Sequence, residues 1–384
     1  MSGPTVHEGL TWDHPRGFGA LAAAAESVAR ERGHPLVRWA RQPLEGFESH
    51  PIGELAARYD LLVLDHPHLG EAVALDCLRP LEAVFGAEDI AGWRERTAGP
   101  ALESYLWAGR HWALPLDVAT QVTAYRPDLV AGPPPATWAE VLAFAERKPV
   151  ALSIAGPHAI LCLFSIAVAL GRAPEGEDLL PDAVVHEAFA VLARLHARAP
   201  AGSGALNPIG LLEAMARGGD IALVPLVYGY VNYAGEAPGR HRVAFADAPA
   251  WREGGRPGTV LGGTGIALTR RAVPDRALLE HLRWLMSEPC QVGFIPAHDG
   301  QPSARAAWLS QAVNARWGGF YRATLASIEQ AWVRPRFDGY IAFQTEAARL
   351  VRAALDGALA APELPARLRR AWHESRARAR GPLT

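Results

Sequence analysis

Residues 60–65, "DLLVLD", place four apolar side chains in a row between two aspartates. A strand sends alternate side chains to opposite faces, so an uninterrupted apolar strand is stable only where both faces are covered. The neighbouring segments supply that cover: a short strand at "GLTW" (9–12), a helix over 17–32, a second strand at "LVRWA" (36–40) and a helix at "IGELAARY" (52–59). Strands that alternate with helices in this way predict an α/β fold with a parallel sheet between helical layers. Ligands of such sheets gather beyond the carboxyl ends of the strands. That rule puts "WDHPRG" (12–17) and "DHPHLG" (65–70) at one rim, since each directly follows a strand.

Further along, Pro115 to Val118 in "HWALPLDVATQVTAYRPDLV" read as an extended crossover, and "GPPPATWAEVLAFAERK" as a proline-rich loop and a helix with Thr137 as N-cap. "PDAVVHEAFAVLARLHARA" (181–199) continues in helix. "GGDIALVPLVYGYVNYA" (218–234) reads as a turn, a buried strand and an aromatic segment. "GGTG" (262–265) reads as a hinge turn before a strand; it lacks the G-x-x-x-x-G-K-[ST] spacing of a phosphate loop. "DRALLEHLRWLMSE" (275–288) is an amphipathic helix, and the chain ends in helices from about residue 306.

A chain of 384 residues with 49% hydrophobic and 20% charged residues is long enough for two domain-sized cores. Its formal net charge of −2 gives no electrostatic reason to expect nucleic acid or an anionic membrane surface as partner. The arginines of "ARLRRAWHESRARARG" are interrupted by acidic and apolar residues and read as a solvated helix. Cys77, Cys162 and Cys290 are widely spaced, without a C-x-x-C pair, which signals neither a disulfide framework nor a zinc site. The apolar run Ala159 to Leu170 has 12 residues, whereas a bilayer span needs roughly 20; it is a core helix, with no membrane insertion expected. "MSGPT" shows no charged n-region or apolar h-region, so the expected localisation is cytoplasmic.

Five stretches, taken in order, carry a family resemblance: "YDLLVLDHPHLGEAVALDCLRPLE"; "HWALPLDVATQVTAYRPDLV" with "PPATWAEVLAFA"; "RGGDIALVPLVYGY"; "GGTGIALTRRA" through "PSAR"; and "RPRFDGYIAFQTEAARLVRAALDG". The order resembles the family 1 extracellular solute-binding proteins of bacterial ABC importers, the maltose-binding-protein-like group. The resemblance implies a two-lobed periplasmic-binding-protein-like (type II) fold with crossover hinge strands and an interlobe cleft that closes on a ligand. Lobe 1 would be 1–117 plus 262–305, and lobe 2 118–261 plus 306–384. An ABC permease is an expected partner only if the chain is exported.

Candidate ligand-binding residues follow from the rim and from the resemblance. Asp13 would cap the helix after "GLTW", leaving the N–H groups of the first turn and Arg16 as an anion site beside Trp12 and His14. Asp65, His66 and His68 share the second rim loop. The resemblance adds Asp117 and Gln121 in the crossover, with fixing the hinge as the alternative role for Asp117, and it adds Tyr228 and Tyr230, with Asn232 and Tyr233 near them, as ring platforms or lobe core. Gly263 and Thr264 offer backbone N–H groups, and His298 and Asp299 lie in "PAHDG". No cofactor is implied, and H-x-H alone is weak support for a metal.

So many groups that titrate near neutrality predict a small polar, anionic metabolite bearing a carboxylate or phosphate. The alternative is an enzyme in which His14 or His66 acts as general base with Asp13, Asp117 or Asp299 as its partner. A second alternative is a sugar-binding importer subunit without its leader.

Overall fold

The structure, a computed structural model, describes residues 5–44, 46 and 50–379. The chain divides into two compact units. Unit 1 comprises Met1–Val118, Gly262–Val313 and Arg334–Asp338; unit 2 comprises Ala119–Leu261, Asn314–Val333 and Gly339–Thr384. The strands are β1 (His7–Trp12), β2 (Val37–Gln42), β3 (Leu61–Leu64), β4 (Leu106–Trp107), β5 (Arg110–His111), β6 (Leu114–Tyr125), β7 (Leu223–Tyr228), β8 (Ala244–Ala246) and β9 (Leu261–Leu268).

In unit 1 the strand order is β2-β1-β3-β9. β1 pairs in parallel with β2 and with β3, as the α/β reading requires, while β9 runs antiparallel to β3 from Leu61↔Leu268 to Leu64↔Gly265. The apolar run of β3 is explained by its surroundings: Leu61 and Val63 join one core cluster with Leu21, Trp93 and Leu282, and Leu62 and Leu64 join another with Leu55 and Leu69. Both faces are therefore dry, and each of these leucines contributes about 1.5–3 kcal/mol relative to exposure.

The helix after β1 is α1 (Pro15–Arg32), which returns the chain to the start of β2 and stops at Gly33 in the left-handed region (φ 75°). The expectation that Asp13 caps α1 is corrected here. His14 is the N-cap, its Nδ1 accepting the Arg16 N–H at 3.1 Å, and Asp13 instead pairs with Arg41 at 3.0 Å on the surface. "GGTG" is also corrected: Gly262 to Gly265 lie inside β9, with Gly263 at φ 97°. Its last residue, Gly265, pairs with Leu64 of β3, and that antiparallel ladder runs on to Leu268.

In unit 2, β6 is flanked by β7 and β8, both antiparallel to it. The helix His158–Ala169 is buried along nearly its whole length, packed by Asp182–His196 and Tyr340–Leu355, which explains its apolar run without a membrane. Thr137 caps the helix Trp138–Ala145 in a capping box with Glu140, as its sequence signals. No helix among the described residues is long and apolar enough to cross a membrane.

Candidate functional site

One edge of the unit 1 sheet collects the carboxyl ends of β1 and β3 with the start of β9, which arrives from the opposite direction. The first turn of α1 and the loop after β3 bring Arg16 and Asp65 to this edge, and β6 brings Asp117. Arg16 and Asp117 form a bidentate ion pair, Nε to Oδ2 at 2.7 Å and Nη2 to Oδ1 at 2.5 Å, with both side chains 4% exposed. The Thr264 N–H also donates to Asp117. Burial pushes the Asp117 carboxyl up, and Arg16 pulls against that shift; the fork-on-carboxylate geometry favours the charged pair.

A second pair stands beside the first. Arg334 donates to Asp65 from the short segment Arg334–Asp338. Burial opposes ionisation of Asp65, but Arg334 and His66 outweigh it and hold the carboxyl below the usual range. The Asp65 charge reaches Asp117, so the two ion pairs act on one another. His66 is fully buried, its Nδ1 3.1 Å from Asp65 Oδ1 and its ring edge-on to Tyr105 at 6.3 Å. Tyr105 in turn donates to the Leu64 carbonyl at 3.2 Å, at the end of β3. Desolvation pushes His66 and His68 down to about 4, so both imidazoles are neutral at pH 7. His14, half-buried and beside Arg16, is likewise pushed down to about 4, by burial first.

The edge thus holds Asp13, His14, Arg16, Asp65, His66, His68, Asp117 and Thr264 of the sequence candidates, and three of its cations face carboxylates, Arg16 with Asp117, Arg334 with Asp65 and Arg41 with Asp13, while Arg336 is bonded to main-chain carbonyls. Trp12 is buried under α1, its ring against Gly17. The Thr264 hydroxyl is buried without a hydrogen-bond partner among the described residues. His298 packs beside Gly19 of α1, its Nδ1 against the Phe294 carbonyl at 2.9 Å, and Asp299 takes a left-handed backbone (φ 64°).

Gly263 precedes Thr264 in β9 of unit 1, and the remaining candidates lie in unit 2. The Gln121 amide is engaged internally, accepting from Ser165 at 2.5 Å and meeting Cys162 Sγ at 3.4 Å. Tyr228 donates to the Leu261 carbonyl at 3.5 Å and meets His158 edge-on at 5.8 Å, while Tyr230 is buried. Among the described residues, no three His, Cys, Asp or Glu side chains form a group that could hold a metal ion.

Sequence reasoning missed Arg334, Arg336 and Tyr105. Arg336 donates to the carbonyls of Glu103 and Ser104, fixing the turn that carries Tyr105. The signal available was "RPR", two arginines held apart by a proline between helical stretches.

The sequence model of the bacterial extracellular solute-binding proteins matches residues 53–307. The chain belongs to that family. No curated sequence relative matches this solute-binding protein, but solved structures do. An ABC transporter solute-binding protein from Agrobacterium radiobacter, in complex with ribitol, superposes with a TM-score of 0.79 at 20% identity, covering 97% of this chain and 98% of that one. Maltose-bound MalE3 of T. maritima gives 0.80 at 18% identity over 96% and 98%. A solute-binding protein from Agrobacterium vitis with bound D-mannitol gives 0.75 at 15% identity over 97% and 99%. At these identities the likeness establishes the fold, that of the two-lobed solute-binding structures.

Proposed function

We propose that this solute-binding protein takes a small, uncharged polyhydroxy compound, a sugar or sugar alcohol, at the unit 1 edge formed by β1, β3, β9 and the start of β6. The observation that carries the reading is charge compensation. Arg16 and Arg334, the buried guanidiniums of this edge, each face a carboxylate, so an anion arriving there would compete with Asp117 or Asp65 and leave a buried carboxylate unpaired. A neutral hydroxyl meets no such penalty and can accept from a guanidinium N–H or donate to a carboxylate already in place. The ribitol, mannitol and maltose held by structures of the same fold support this ligand class.

Calorimetric titration with ribitol, mannitol and maltose against citrate, succinate and glucose 6-phosphate separates this reading from the anionic metabolite expected from the sequence. Saturable heats from a polyol or sugar, with none from the anions, are the expected outcome. Binding of the anions alone would overturn the reading. An ABC permease as receiver of the loaded protein is part of the proposal, and fractionation of the native cells locates the chain relative to such a permease.

A further inference from the structure

Unit 1 carries a second concavity, at the end of the sheet where β1 and β2 begin. It is a cleft of about 320 Å³ between the last turns of α1 and the helix Arg276–Leu285. Val28, Leu36 and Ala277 give it apolar walls. Trp284, 36% exposed, stacks on His281 with the rings 5.9 Å apart and inclined at 21°. His281 is 6% exposed, and its Nδ1 has no hydrogen-bond partner among the described residues. Burial pushes this imidazole down to about 4, so that at neutral pH it is an uncharged ring.

The mouth of the cleft is charged in an unusual way. Glu280 is bonded to Arg276 at 2.6 Å, but Glu31 and Arg32, adjacent at the end of α1 and both lining the cleft, form no ion pair among the described residues. One open carboxylate and one open guanidinium therefore stand above an aromatic and aliphatic floor. We propose that this cleft is a second solute site, independent of the first, which takes an aromatic α-amino acid as the free zwitterion. Arg32 receives the α-carboxylate, Glu31 the α-ammonium, and the aromatic ring lies against Trp284, Val28 and Leu36. Most of the affinity comes from the ring, because exposed ion pairs contribute little individually.

The test is calorimetric or ligand-observed NMR titration of the full chain with L-tryptophan, tryptamine and indole-3-propionate. L-Tryptophan binds with saturation, and each singly charged analogue binds about fivefold more weakly, the upper end of what one exposed ion pair provides. Arg32→Gln weakens tryptophan and indole-3-propionate but leaves tryptamine unchanged, and Glu31→Gln does the reverse. Ala277→Trp fills the cleft and abolishes binding of all three while the far-UV circular dichroism stays that of the parent. The proposal is overturned by a titration that shows no saturation, by an Arg32→Gln protein with undiminished tryptophan affinity, or by an Ala277→Trp protein that keeps its fold and still binds.

Discussion

Asp117 shows how far one side chain can set the chemistry of an edge. Removing it leaves Arg16 with an uncompensated buried charge, and breaking a buried pair from one side costs about 3–5 kcal/mol. Asp117→Ala should therefore lower the urea midpoint strongly, whereas Arg16→Met combined with Asp117→Leu should recover part of the loss; a double variant no better than the single would refute ion-pair desolvation as the cause. The buried histidines give a pH signature. His66, His68 and His281 titrate near 4 in the folded protein against an ordinary value of 6.5. The unfolded chain thus takes up protons between pH 6.5 and 4 that the folded chain refuses, and each histidine subtracts up to ~1.4 kcal/mol of stability per pH unit as pH falls through that window. Above pH 6.5 these groups have no effect. Asp65 acts in the same direction lower down, since its carboxyl is depressed and its contribution disappears only in stronger acid. Urea midpoints at pH 7 and pH 5 should fall steeply for the parent and less for His68→Gln.

Helix α1 joins these residues to local structure. Its N-cap is an imidazole whose Nδ1 must be unprotonated to accept from Arg16 N–H. His14→Ala should cost about 1 kcal/mol, the usual value of a cap, while His14→Ser should keep most of it; equal midpoints for the two variants would show that the cap bond contributes nothing. Gly17 lies in the same first turns. Alanine would raise helix propensity there by about 0.8–1 kcal/mol, yet a Cβ at Gly17 would sit 2.3 Å from the buried Trp12 ring. Overpacking of that kind costs about 1–3 kcal/mol, so Gly17→Ala is expected to destabilise despite its propensity, read as a lower thermal midpoint. These two positions also mark what the sequence makes legible. "DLLVLD", "GLTW" and the helix between strands are visible because periodicity and burial coincide, and the rim loops follow from strand polarity alone. The choice between Asp13 and His14 as cap is not visible, because both residue types can accept an N–H and the decision belongs to Arg41, a residue that only the folded β2 brings near. "GGTG" misleads for a related reason: glycine propensity says turn, and the strand β9, laddered to β3 from Gly265 onward, overrides it.

The five-residue return Arg334–Asp338 is the least legible part of the molecule, and unit 1 depends on it. Nothing in "RPRFDG" announces that a segment between unit 2 helices clusters with a unit begun some three hundred residues earlier; that follows from chain topology, which local patterns do not encode. The return is held by close backbone approach. A Cβ at Gly70, in the helix that follows β3, would lie 2.0 Å from the Arg336 carbonyl oxygen and 2.3 Å from the Phe337 carbonyl carbon, atoms that cannot move without the segment. Arg334, and with it the partner of Asp65, sits on that segment. If Gly70→Ala pushes the return away, Asp65 loses its cation, its carboxyl rises toward the ordinary range, and the edge changes from charge-compensated to acidic. Two consequences belong together. Stability falls, and the ligand preference shifts from neutral polyols toward cationic solutes, which calorimetry with ribitol and with a polyamine can read on one protein. A Gly70→Ala protein that is destabilised but keeps its polyol affinity would mean that the Arg334–Asp65 pair supports the fold without shaping the site, and the proposed role of charge compensation in ligand choice would then fail.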